Sequence, residues 1–105
     1  MDLLRAGAVR EAAERMAVST RALQYVTRRL WDEDEQVARS SARALGEAAR
    51  RAPERGREVA RRFLWALNDE SATNAGPVLA ALAEMAERAP DVVRPFVGAL
   101  VPLLE

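Results

Sequence analysis

One unit written twice constrains this chain more than any other feature. Shifted by 37 positions, Leu30 falls on Leu67, Asp32 on Asp69, Leu45 on Leu82 and Glu47 on Glu84, and the closing Arg51-Ala52-Pro53 falls on Arg88-Ala89-Pro90. A single matched leucine is a cheap coincidence; the same opening and closing residues at one offset are not. A fixed period of about 20–50 residues is the signature of stacked helical hairpins. Slipped to 36 positions, the match continues toward the N-terminus, with Val9 on Leu45, Glu11 on Glu47 and Arg15 on Arg51. The chain therefore reads as B, A-B, A-B, A: six antiparallel helices, a half-repeat at either end, in one domain over residues 1–105. The fold class expected is all-α, an α–α superhelix with a repeat of about 37 residues.

Periodicity and punctuation place the helices. Glu11 and Arg15 make a favourable i,i+4 pair in a first helix over Asp2 to Met16. Ser19 or Thr20 caps a second, Thr20 to Trp31, with an apolar stripe of Ala22, Leu23, Val26 and Leu30. The acidic turn Asp32-Glu33-Asp34-Glu35 starts a third, Asp34 to Arg51, since carboxylates favour a helix N-terminus. Pro53 is read as a break and Gly56 as loop, so the fourth helix is expected over Arg57 to Leu67, with Val59, Ala60, Phe63 and Leu64 inward. A polar stretch ends at Pro77, which fits the first turn of a fifth helix reaching Arg88. The sixth is expected over Val93 to Leu104.

Composition removes several classes of function. The chain has no Cys and no His, which excludes thiol chemistry and removes the commonest general base and metal ligand. Sixteen basic residues balance sixteen acidic ones, an unfavourable start for a nucleic-acid binder, which needs a net basic footprint. All sixteen basic residues are Arg, which fits either GC-rich coding or selection for ion pairs in a heat-stable protein. The opening residues do not read as a signal peptide and no apolar run could span a bilayer, so a cytoplasmic, bacterial-type protein is expected, with no cofactor.

The residues Asp32-x-Asp34-x-x-Val37, followed by Ala42-x-Ala44-Leu45-Gly46-Glu47, resemble the second-helix motif of HEAT repeats, the short bacterial type found also in bilin-lyase-like proteins. That resemblance spans nearly the whole chain. It implies an armadillo-like α-solenoid used mainly to bind other proteins. The chain departs from the pattern at Ala38, where the family carries an Arg that stacks on a neighbouring turn, and again at Asn74-Ala75 in the second copy.

The function expected is thus a non-catalytic protein-interaction scaffold that also self-associates. Two surfaces are candidates for the protein partner: the charged stripe Arg39, Arg43, Glu47 and Arg50, and the polar turn lined by Asn68, Glu70, Ser71 and Asn74. The last helix exposes Phe96, Val97, Leu100, Val101 and Leu104 with no following helix to cover them, which favours a homodimer closed about a two-fold axis. The alternatives are a nucleic-acid binder with an arginine-lined face that gathers Arg5, Arg10, Arg39, Arg43 and Arg50, and a bilin-lyase-like accessory protein. The acidic turn reads as helix capping, because a calcium loop needs a longer ligand spacing with a Gly turn. Trp31 and Trp65 are expected to pack on the adjacent hairpin.

Overall fold

A computed structural model describes residues 8–69 and 75–96, and every regular element among them is helical. In chain order they are α1 (Val9–Val18), α2 (Thr20–Arg28), which tightens into a 3-10 turn over Arg29–Trp31, α3 (Glu35–Arg51), α4 (Pro53–Asp69), α5 (Ala75–Arg88) and α6 (Pro90–Val93), which continues as a 3-10 turn over Arg94–Phe96. Six α-helices are therefore present among the described residues, in the order that the repeat implies.

Most connections are single-residue corners. Ser19, with an extended backbone, separates α1 from α2, and its hydroxyl accepts from Ala22 N at 3.2 Å. Ala52 ends α3 by donating to the Ala48 carbonyl at 2.8 Å and starts α4 by accepting from Gly56 N at 3.0 Å. Ala89 does the same between α5 and α6, donating to Met85 O at 2.7 Å and accepting from Val92 N at 3.0 Å. The expected helix starts at Arg57 and Val93 are thereby corrected to Pro53 and Pro90. Both prolines occupy the first helical position, where the missing N–H has no intrahelical partner to lose and the fixed φ already suits a helix. They open helices rather than break them, and Gly56 lies inside α4, not in a loop. The fifth helix likewise begins two residues early, at Ala75.

The acidic turn is held from within. Asp32 accepts from Asp34 N at 2.9 Å and from the Arg29 guanidinium at 3.0 Å, and Asp34 caps α3 by accepting from Gln36 N at 2.9 Å. Arg29 also lies over the Tyr25 ring, 5.0 Å from its centroid.

Packing arranges the helices in two layers. α3 sits in the middle of one, with α1 against one flank and α5 against the other. The second layer comprises α2 and α4, which pack on α3, and α6, which packs on α4 and α5. Between them lie Met16, Val26, Leu45, Phe63, Leu82 and Met85, all buried, with Phe96 half-buried at the edge. Two glycines set how closely the helices approach. A Cβ on Gly46 would stand 2.8 Å from the Glu84 carbonyl oxygen, so α3 and α5 meet backbone to side-chain-free backbone there. A Cβ on Gly56 would stand 2.7 Å from the Ala49 methyl carbon and 3.1 Å from a Val92 methyl, so α4 is pressed onto α3 beside α6. Small residues at such crossings let ridges of one helix sink into grooves of another.

Candidate functional site

The charged stripe of α3 divides into two unlike parts. Arg39, Arg43 and Arg50 are exposed, whereas the Glu47 side chain retains only 14% of its accessible surface. Glu47 lies where α3 faces α5, and three arginines converge on it. Arg50 donates through Nε at 3.0 Å and through a terminal nitrogen of the same guanidinium. Arg51 Nε stands 3.5 Å away, and Arg88 of α5 stands 3.5 Å from the other carboxylate oxygen. Arg88 also donates to Glu84 at 3.1 Å, and Arg51 reaches Glu14 of α1 at 3.9 Å. A chain of charges thus runs Glu14, Arg51, Glu47, Arg88, Glu84 across α1, α3 and α5.

Hydrogen bonding from Arg50 is the leading reason that the Glu47 carboxyl is held below the ordinary glutamate value. Burial opposes that shift, and the charges of Arg50, Arg51 and Arg88 reinforce it. Glu47 is therefore ionised at neutral pH and fully engaged inside the protein. Of the four residues of the stripe, Glu47 is the one whose ion pairs link α3 to α5, through Arg88. The repeat explains the pairing, since Glu47–Arg51 and Glu84–Arg88 are the same i,i+4 pair in successive copies.

With Glu47 turned inward, the outer side of α3 is left basic. Arg43 has no ion pair or hydrogen-bond partner among the described residues, and Arg39 has only Glu35 at 3.8 Å with both side chains well exposed. Beside Arg39 a shallow groove of about 330 Å³ runs between α3 and α5. Its lining includes Ala38, Ala42, Gly76 and Ala80, with Glu35, Arg39 and Glu84 also contributing. Ala38 places only a methyl group at the wall of this space.

The remaining candidate residues are distributed as follows. Asn68 belongs to the α4 helix, while Glu70, Ser71 and Asn74 lie outside the described residues. Phe96 packs half-buried against the core, and Val97, Leu100, Val101 and Leu104 lie outside the described residues, as does Arg5. The placement of the tryptophans is corrected: Trp65 is 69% exposed and Trp31 45%. Trp65 follows the buried Phe63-Leu64 pair on α4 and turns away from both layers, a direction that helical geometry dictates once those two face inward.

Among the described residues, no three Asp or Glu side chains gather in a way that could hold a metal ion, and no helix is long and apolar enough to cross a membrane. No nucleophile paired with a base emerges from the described geometry. The α3 face presents the exposed guanidiniums of Arg39 and Arg43 beside a groove walled largely by small side chains. Comparison with known proteins adds no relative to this picture, since no family model, no curated protein and no solved structure matches the chain.

Proposed function

We propose that this chain is a non-catalytic protein-interaction module, a short α–α superhelix of HEAT type, whose binding surface is the outer side of α3 with the adjoining α3/α5 groove. The observation that carries the reading is the fate of Glu47. Because its charge is satisfied inside by Arg50, Arg51 and Arg88, the exposed guanidinium of Arg43 has no carboxylate partner among the described residues, and that of Arg39 has only Glu35 at 3.8 Å. The partner that fits is a protein segment carrying carboxylates, and small side chains at Ala38, Ala42 and Ala80 let its backbone come close. Self-association through Phe96, Val97, Leu100, Val101 and Leu104 belongs to the same proposal. It is supported by Phe96 lying half-buried at the edge of the core.

The test is comparative purification from the native cell with the wild-type chain and the double variant Arg39→Glu/Arg43→Glu. These exposed side chains contribute little to stability, so the variant stays folded. A partner retained by the wild type and lost by the variant supports the reading. Identical retention by both, or shifting of DNA that weakens steeply with salt, contradicts it. Light scattering at high concentration tests the dimer separately, and a clean monomer refutes that part.

A further inference from the structure

The opposite layer carries a second feature that the α3 face does not use. α2 and α4 both pack on α3, yet between them they leave a groove of about 440 Å³. This is within the usual range of about 300–1,000 Å³ for ligand-binding clefts. At one end it is closed by Arg55 of α4, which donates to the Thr20 hydroxyl of α2 at 3.2 Å. Half-buried Leu23 on α2 supplies apolar surface, and the buried Val59 and Phe63 of α4 form the floor. The charged residues around it are Arg28, Arg55 and Arg62 against the single carboxylate of Glu58.

That carboxylate is already divided. Arg62 stands 3.4 Å from one of its oxygens and Arg61 3.4 Å from the other, while Arg28 has no ion pair among the described residues. The groove is therefore apolar within and cationic at its border, with guanidinium charge left over.

We propose that the α2/α4 groove docks an amphipathic helix from another protein, with apolar side chains seated on Leu23, Val59 and Phe63 and acidic residues flanking them toward Arg28 and Arg62. Charge complementarity selects the acidic flanks. A two-turn helix fits lengthwise: the lining runs from Thr20 to Arg28 and from Arg55 to Phe63, about 12 Å of each helix at 1.5 Å per residue. Apolar anchors at i, i+3, i+4 and i+7 of a helix span about 10 Å. Laying one apolar helical face between two others is a common mode of peptide recognition. This surface is distinct from the α3 face, and its occupancy holds whether or not that face binds.

The probe is a synthetic peptide with leucines at the i, i+3, i+4 and i+7 positions and glutamates beside them, titrated into the isotope-labelled 105-residue chain. A second peptide carries lysine in place of each glutamate. The glutamate peptide is expected to bind at least ~10-fold tighter than the lysine peptide, as electrostatic selection at an interface allows, with amide shifts centred on Leu23, Gln24, Val59 and Phe63. Arg28→Glu/Arg62→Glu should remove that preference. Gln24→Trp, at an exposed lining position where added bulk fills the groove without touching the core, should abolish binding and leave the thermal melt unchanged. The proposal is overturned if both peptides bind alike, if shifts map to α3 and α5, or if nothing binds at ~1 mM peptide. A dimer that Gln24→Trp dissociates would overturn it too, since the occupant would be a second copy.

Discussion

Replacing Gly46 with alanine sets two known effects against each other. On an exposed helix face, Gly→Ala gains about 0.5–1 kcal/mol, because glycine loses more backbone freedom on folding. At this position the new Cβ would lie 2.8 Å from the Glu84 carbonyl oxygen, 2.9 Å from its carbon and 3.0 Å from Arg88 Cδ. Ordinary carbon–oxygen approaches begin near ~3.3 Å, so α5 would have to retreat by about half an ångström. The obstructing atoms are helix backbone, which cannot swing aside as a side chain can. Overpacking of this kind costs about 1–3 kcal/mol, so a net loss of about 1 kcal/mol is expected, and up to ~2. A domain of this size shifts its Tm by about 4–8 °C per kcal/mol, placing the variant some ~5–10 °C below wild type. The assay is a thermal melt and a urea titration by far-UV circular dichroism. Gly76→Ala is the control, since nothing lies within 4 Å of a Cβ there, and it should melt at or slightly above wild type. If Gly46→Ala equals or exceeds the wild type, the α3/α5 crossing described here is wrong.

Three other outcomes follow from the same structure. Glu47→Gln should cost about 1–2 kcal/mol at neutral pH, because the arginines lose the carboxylate that they surround. Its pKa is lower folded than unfolded, so the carboxylate's contribution is complete above the unfolded value of about 4.3 and lost as pH falls through the folded one. Urea titrations of wild type and Glu47→Gln should therefore converge in acid, and a gap that persists or widens there refutes the assignment. Asp34→Ala should destabilise by about 1 kcal/mol through loss of the α3 cap, read from the urea midpoint; an unchanged midpoint means that the Gln36 amide finds another acceptor. Trp65→Ala should change stability by less than about 0.5 kcal/mol and remove the fluorescence component most accessible to iodide; a large loss of stability would place that ring in the core.

The repeat made part of the fold legible, because its closing Arg-Ala-Pro triplet forms the same corner at both copies. Asp34 caps α3 one residue before the helix begins, and the Arg-Ala-Pro triplets mark the two corners. What was misread came from treating local signals alone. Pro53 and Gly56 together look like a loop, yet proline suits a first helical turn and Gly56 is required by the nearness of Ala49. The inward role of Glu47 was hidden because Arg43, Glu47 and Arg50 share one helical face, and helical spacing does not say which part of a face meets a neighbouring helix. The signal was present in the offset that set Arg51 on Arg88, since residues that repeat together also meet between copies. The α2/α4 groove had no signature at all: Leu23, Val59 and Phe63 read as ordinary core positions, and the space between them depends on how far apart two helices settle.

The measurement that bears most directly on the stacking of successive copies is a set of four nuclear Overhauser contacts in the chain. Gly46 Hα should show cross-peaks to α5 protons of Glu84 and Arg88, and Gly56 Hα to the methyls of Ala49 and Val92. Finding all of them places α3 between its neighbours as described. Their absence, with the helices otherwise intact, would mean that the two copies are folded but not laid side by side.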